Sequence, residues 1–454
     1  MKGFFINGTF FINETSNYIM RFLFELDYDF VLDIYTNKDR SKLLITHHEI
    51  DKRKVTPLDI QINYPKINSI GYKRFYYTVK NLDTSNLEFT GSFPIISPNY
   101  NKDLEIIFLS CNDNPNTKNE WNVYHDGISS SLWKKIGEKQ HDLIIHMGDQ
   151  IYADSVGQLW MDGKIKEYEV KNYLRNLYLK TYSEESQSNV MRNSLNFNIF
   201  DDHDIKDCFG TPNTPNTVLD EKFNPYKKIA YDFLIKYQLS LINKKFTDLS
   251  DLSYSIDIGK YKFVMVDMRS QFYLTGQIFT DKILKWTNKT LNSNTKNDIY
   301  IILPRPIGGT GKYLSLLVSL YLKDALDEPI HPHNFKQTVK FLKQIFKYKI
   351  NTDKNIRILS GDVHECYKKT IDYHYKNNTY QINQYISSAV TRSSRANDSN
   401  WLVQLLFGLT DNINLLFLYG IGNKQKHSLF NNFGEISNGK IKFFAKKEKN
   451  LKSQ

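Results

Sequence analysis

The sequence predicts an α/β protein: a two-sheet sandwich flanked by helices, preceded by a small β-sandwich. Three observations carry that prediction. Up to about residue 98, short aromatic and β-branched runs recur with turn residues between them. From Leu104 onward, apolar runs of strand length alternate with stripes of helical period. Several of the later runs stop on Asp, His or Cys, and the carboxyl ends of strands in an open α/β sheet are where ligands sit.

In the first region the candidate strands are Gly3 to Ile12, Tyr18 to Leu26, Phe30 to Tyr35, Tyr72 to Val79 and Leu87 to Phe93. Turns such as Asn37-Lys38-Asp39 and Asp83-Thr84-Ser85-Asn86 separate them, which is the spacing of a sandwich module without evident chemistry. Pro94 to Asn101 reads as a linker, so residues 1–98 form one unit and 99–454 the next. In the second unit the candidate strands are Leu104 to Ser110, Asp142 to Met147, Leu195 to Phe200, Tyr261 to Met268, Asp298 to Leu303, Ile356 to Ser360 and Tyr380 to Ser388. Helical stripes lie between them: Ile229, Phe233, Leu234 and Tyr237; Trp286 within Lys282 to Leu291; and Phe335, Val339, Leu342, Ile345 and Phe346. There is no internal repeat.

Composition narrows the class. The chain has 454 residues, 41% hydrophobic and 14% aromatic, enough for a sizeable core and against global disorder. Its richness in Asn, Lys, Ile and Tyr resembles the drift of an AT-rich genome. The net charge of +11 and pI near 9.1 favour phosphate-bearing partners, nucleic acid and acidic membrane included. The lysines are scattered along the chain, however, so composition is the simpler account, and Lys446-Lys447-Glu448-Lys449 reads as a solvated tail. Three cysteines make no disulfide framework and fit a reducing compartment. Asn7 and Asn13 interrupt the apolar start, so no export signal is read and the expected location is cytoplasmic. The Asn-X-Ser/Thr sequons then read as chance. Trp401 to Ile421 is too interrupted by Gln404, Asp411, Asn412 and Asn414 for a membrane span and reads as a packed helix, with an interfacial helix as the alternative. The oligomeric state is not specified.

The chemistry gathers at the strand ends. Leu104 to Ser110 is followed by Cys111-Asn112-Asp113, and Asp142 to Met147 by Gly148-Asp149-Gln150-Ile151-Tyr152. Leu195 to Phe200 is followed by Asp201-Asp202-His203-Asp204, Tyr261 to Val266 by Asp267-Met268-Arg269, and Ile356 to Ser360 by Gly361-Asp362-Val363-His364. Taken singly these are ordinary. Gly-Asp after a strand is often a turn, Cys111 a small buried hydrophobe, Tyr152 a core residue, and Asp267 to Arg269 an ion pair. Cys208 and Cys366 read as packing. The set, all at strand ends, points to a metal site. Carboxylate and phenolate suit hard cations, thiolate and imidazole suit iron or zinc, and clustered carboxylates repel unless cations neutralise them. Two such cations would bind a phosphate oxygen and acidify a bridging water for in-line attack on phosphorus. His203, between Asp202 and Asp204, would be the general acid with one carboxylate orienting its ring.

In this order, Ser-Cys, Gly-Asp-X-Ile-Tyr, Asp-Asp-His-Asp, Asp-X-Arg-Ser-Gln and Ser-Gly-Asp-Val-His, the motifs resemble those of the PhoD-like phosphatases (the alkaline phosphatase D family) of the metallophosphatase superfamily. The resemblance runs from about Ser110 to His364, with softer similarity at Ser387-Ser388-Ala389-Val390 and Asn431-Asn432-Phe433-Gly434. It implies a metallophosphatase-type catalytic unit over 99–454 after an N-terminal β-sandwich. It implies metal ligation by Cys111, Asp149, Tyr152, Asp202, Asp362 and His364, and an acid or phosphate-contacting role for His203. It also implies iron with calcium as the cations, zinc and manganese being the alternatives. Two departures bear on substrate and location: Phe272 stands after Ser270-Gln271 where the family commonly has Arg, and the export signal of secreted members is absent. Thr211 to Asn216 follows the Asp-Asp-His-Asp loop, where it would shape the site entrance.

The expectation is therefore an enzyme, a metal-dependent phosphoric ester hydrolase acting on monoesters or diesters. A metal-bound hydroxide attacks, Arg269 and the cations stabilise the developing charge, and His203 and Asp204 serve as the catalytic acid and its carboxylate. The alternatives are a nuclease-like or phospholipase-like phosphodiesterase, a catalytically inactive scaffold of the same fold, and a protein whose N-terminal sandwich binds a partner.

Overall fold

Alternation along the strands explains the architecture. The computed structural model describes residues 3–12, 18–49, 57–62, 71–113, 129–211, 221–242, 244, 246, 252–307, 329, 331–364, 366–388, 390–391, 425–428 and 432–445. The segment 401–421, the basic tail at 446–449 and all but the first residue of the 211–216 loop lie outside them.

The N-terminal region is β1 (Phe4–Ile12), β2 (Tyr18–Glu25), β3 (Phe30–Tyr35), β4 (Leu43–Glu49), β5 (Pro57–Ile62), β6 (Tyr72–Asn81) and β7 (Leu87–Ile96). They make two antiparallel sheets, β1-β2-β5 and β4-β3-β6-β7. The sheets face each other through aromatic rings, Phe5 against Tyr77 and Phe22 against Phe93. Strands β4 and β5 are additions to the sequence reading. β4 is half exposed without clean apolar alternation, whereas β5 alternates Leu58, Ile60 and Ile62 with Asp59 and Gln61, a period that the sequence does display. The linker also begins later than expected. Pro94 lies inside β7, opposite Arg74, and β7 is an edge strand, where a residue without an N–H is tolerated.

The second region contains β8 (Ile106–Leu109), β9 (Leu143–Met147), β10 (Leu195–Ile199), β11 (Tyr254–Ile258), β12 (Tyr261–Met265), β13 (Asp298–Leu303), β14 (Asn355–Ser360), β15 (Cys366–Tyr375), β16 (Asn378–Ser387), β17 (Gln425–Ser428), β18 (Asn432–Ser437) and β19 (Lys440–Ala445). One sheet runs β10-β9-β8-β18-β19, the other β11-β12-β13-β14-β16-β15-β17. Strands β8, β9 and β10 are parallel, as are β12, β13, β14 and β16. The parallel strands of each sheet therefore deliver their carboxyl ends to one edge.

Alternate residues divide between two faces. Phe108, Ile145, Phe197, Phe263, Tyr300 and Leu359 point into a core between the sheets. Their neighbours Val264, Ile301 and Ile358 point outward, under the helices Asp281–Asn292 and Pro332–Thr352. On the other sheet, Ile107, Leu109 and Ile144 point outward against Leu132, Trp133 and Ile136 of the helix Ser129–Gly137. The result is helix, sheet, sheet, helix.

The core between the sheets continues into the N-terminal strands without a break. The buried Asn7 amide donates to the carbonyls of Ser92 and Arg192, and Arg74 pairs with Asp142 at 2.7 Å. Asn7 is fully buried, so its sequon is no surface acceptor. No helix among the described residues is long and apolar enough to cross a membrane.

Candidate metal centre

Two glycines let the strand ends close up, Gly148 within one sheet and Gly361 between the two. Gly148, after β9, has φ 98°, and a Cβ there would lie 2.6 Å from the Cβ of Asp201. A Cβ on Gly361, after β14, would collide with the Ser110 side chain at the end of β8. Each glycine is needed for close backbone approach. The residues that follow are strained instead. Cys111, Asp149, Asp362 and His364 all take positive φ, between 52° and 70°. Such backbone costs roughly 1–3 kcal/mol per residue and gathers at functional sites.

The strained turns bring four carboxylates together. Asp149, Asp201, Asp202 and Asp362 each place an oxygen within 4.8 Å of the others, and Asp149, Asp202 and His203 form a second, overlapping group. Asp149 and Asp202 are shared. Oδ1 of Asp149 and Oδ2 of Asp201 are buried and lack a hydrogen-bond donor, whereas Oδ1 of Asp202, also buried, lies 3.0 Å from the Arg269 guanidinium. Buried carboxylate oxygens need a partner, and a cation supplies one. The donor set fits hard cations on these orphaned oxygens.

Cys111 borders this cluster. Its thiol donates toward Asp149 at 3.4 Å and the Asp362 carbonyl at 3.6 Å, receives a hydrogen bond from Ser388 at 2.9 Å, and touches Tyr152. The Tyr152 ring packs 4.4 Å from that of His203. His364 is not among the mutually close ligand atoms. Its N–H donates to Ser388 Oγ, one hydroxyl away from Cys111.

The roles of neighbouring groups differ from those anticipated. Asp204 is not aimed at the cluster. Its two oxygens accept the N–H groups of Asp149, Gln150, Ile151 and Asp201 and the amide of Gln238, so it ties the β9 and β10 turns together. Nor does a flanking carboxylate orient His203. Asp154 does, with both oxygens 2.9 Å from Nδ1. Arg269 is buried and pairs with Asp201 and, at 3.0 Å, with Asp202, so its nearest anions are the protein's own carboxylates. Arg305, after β13, pairs with Asp362 at 2.7 Å. The backbone N–H of Cys208 donates to Asp202 at 2.9 Å. Phe272 is fully buried in the core outside the second sheet, where an arginine could not be accommodated without a partner.

Asp201, Asp154 and Arg305 were legible only in part. Asp201 sits inside the Asp-Asp-His-Asp motif, and Asp154 two residues beyond Tyr152. Arg305 follows β13, whose end carries no acidic motif.

Electrostatics agree with a site built for cations. Burial raises the Asp149 carboxyl well above its ordinary value; His203 opposes this, and Asp201, Asp202 and Asp204 add to it. Asp201 is pushed up to about 8 by burial, against Arg269 and with Asp202 and Asp362. The Cys111 thiol is raised by burial, then by Asp149 and Asp362. On Asp202, burial is outweighed by Arg269, His203 and Arg305, and the carboxyl is lowered. On His203, burial is outweighed by Asp154, Asp202 and Asp149, which favour the imidazolium.

A pH dependence follows. Between about pH 4 and 8 the folded Asp201 keeps a proton that the unfolded chain has lost, so the native state binds more protons and stability falls as pH rises. Protein held in chelator is therefore expected to melt at higher temperature at pH 5 than at pH 8. Added cations displace those protons, so the gain in melting temperature they give should be larger at pH 8. Thermal unfolding at the two pH values checks both statements, and the reverse order in chelator would mean that the cluster is ionised without cations.

The sequence model of the PhoD-like phosphatase family matches residues 107–293. Among solved structures, that of PhoD is similar with a TM-score of 0.65 at 12% identity, covering 95% of this chain and 83% of that one. Purple acid phosphatase from yellow lupin (Lupinus luteus) seeds is similar with a TM-score of 0.57 at 10% identity, covering 98% of this chain and 71% of that one. At such identities the two structures establish a shared fold. No curated protein sequence matches.

Proposed function

We propose that this chain is a PhoD-like phosphatase, a phosphoric ester hydrolase of the metallophosphatase fold, and that it cleaves phosphate monoesters or diesters at the cluster of Asp149, Asp201, Asp202, His203 and Asp362. The family implies divalent metal ions, and we assign iron with calcium, zinc or manganese being the alternatives. The convergence of four carboxylates with two orphaned oxygens carries the reading.

Asp149, Asp201, Asp202 and Asp362 would hold the cations, with Cys111, Tyr152 and His364 at their margin. Bound there, the cations neutralise the carboxylates, polarise the phosphoryl oxygens and provide an acidified water as nucleophile. The chain's own residues do the rest. His203, partly exposed at 15%, is the group positioned to give a proton to the leaving oxygen. Asp154 fixes its ring and keeps the proton available. Asp204 holds the turns that carry Asp149 and Asp201 in register. Arg269 and Arg305 offset the carboxylates and limit their mutual repulsion.

The experiment is metal content of the purified protein together with hydrolysis of an aryl phosphate monoester and diester. About two cations per chain and turnover are expected, with a visible absorption band that Tyr152→Phe removes if the phenolate binds ferric iron. The monoester-to-diester ratio then sets the substrate class. Absence of both metal and turnover after supply of iron, calcium, zinc or manganese would replace the enzyme with a scaffold of the same fold.

A further inference from the structure

The lysines look scattered in the sequence, but the helical repeat gathers seven of them on one face. On the helix Asp281–Asn292, Lys282, Lys285 and Lys289 are all exposed. On the helix Pro332–Thr352, Lys336, Lys340, Lys343 and Lys347 are all exposed. Spacings of three and four residues put each set on a single stripe. The opposite faces, with Ile283, Leu284, Phe341 and Ile345, pack on the outer side of the second sheet. The helices are neighbours. Phe279, just before the first, stacks on Phe341 at 4.1 Å, and Lys340 Nζ lies 4.0 Å from the Asp281 carboxylate. Asp281 is the only acidic residue on either helix. Like charges at these spacings weaken a helix, so the pattern opposes the stability of the elements that carry it.

We infer that this double stripe is a docking surface for the phosphate backbone of nucleic acid. The argument is charge complementarity and shape. Four lysines from 336 to 347 form a line about 16 Å long, from the rise of an α-helix. Duplex DNA offers a negative charge about every 1.7 Å of its axis, so such a line meets several phosphates at once. A membrane surface fits less well. An interfacial helix buries Trp, Phe or Leu in lipid. Among the described residues, no exposed large hydrophobic side chain lies on either helix. The stripe offers no hydrogen-bonding pattern for base edges, so binding depends on phosphates rather than on sequence. The inference does not depend on the chemistry of the carboxylate cluster.

The test is fluorescence anisotropy of a labelled 20-base-pair DNA duplex with the full-length protein, from 50 to 200 mM salt. With most of the seven lysines engaged, affinity should fall about four thousandfold across that range, a log–log slope near −6. Changing Lys336, Lys340, Lys343 and Lys347 to Gln should make the slope shallower by about 3 and weaken binding at 50 mM salt at least tenfold. Hydrolysis of a small aryl phosphate should be unchanged in that variant, which separates loss of docking from loss of fold. The control changes Lys134, Lys135, Lys171 and Lys180, also exposed, to Gln and should bind the duplex like the parent. Three results overturn the proposal: no duplex binding at 50 mM salt, an equal loss in the control, or binding to vesicles of anionic phospholipid in place of the duplex.

Discussion

Asp149→Asn is expected to lower turnover by about a thousandfold or more while leaving the chain folded. Asp149 belongs to both groups of mutually close ligand atoms, so its loss touches every candidate cation position at once. Removing an outer partner of a metal ligand already costs about 10–100-fold, and a shared ligand should cost more. The fold should survive for a specific reason. Oδ1 of Asp149 has no hydrogen-bond donor, and the side chain sits among Asp201, Asp202 and Asp204. Asn keeps the shape and removes a carboxyl whose ionisation the surroundings oppose. In chelator the variant should melt no lower than the parent, and cations should raise its melting temperature less. The measurements are kcat on an aryl phosphate, bound cation per chain and thermal unfolding with and without chelator. Turnover near that of the parent would mean that the carboxylate cluster is not where the ester is cleaved.

The outline of this site was readable from the strand ends because each apolar run stops where its sheet does. Asp149, Asp202 and Asp362 follow three different parallel strands, and those strands deliver them to one place. What could not be read was the direction of each side chain. Asp201 and Asp204 are both one or two residues from His203, yet one faces the cations' position and the other turns back to bind N–H groups. Asp204 is held by the N–H groups of the β9 and β10 turns and Asp201 is crowded by Gly148, neither of which a motif displays. Arg305 was missed because its strand end carries Pro-Arg-Pro and no acid, while its importance comes from Asp362 across the sheet. The N-terminal strands were visible where apolar residues alternate and invisible at β4, which stays half exposed, while β5, with Leu58, Ile60 and Ile62 alternating, carried a readable signal. The continuity of their core with the second region rests on contacts such as Asn7 with Arg192, 185 residues apart, which no local pattern encodes.

Loss of the His203 imidazole should show a dependence on leaving group that no structural defect would produce. General-acid catalysis is worth about 10²–10⁴-fold when the departing oxygen is a poor leaving group, and little when it leaves easily as a stable anion. His203→Ala is therefore expected to lose roughly a thousandfold on an alkyl phosphate and about tenfold or less on a nitrophenyl ester. Asp154→Asn should reproduce that selectivity at smaller size. The change keeps the side chain beside Nδ1 but removes the charge that heads the attractive interactions favouring the imidazolium. Asp154 belongs to neither candidate cation group and meets the second only through the His203 ring, so this variant should retain the cation content of the parent. Retained cations combined with a leaving-group-dependent loss would identify Asp154 as the residue that positions the proton donor. An equal loss on both esters would leave Asp154 as a support for the turn, through its bond to the Asp207 N–H at 2.5 Å, and would remove His203 from the proton-transfer step if its own variant behaved the same way.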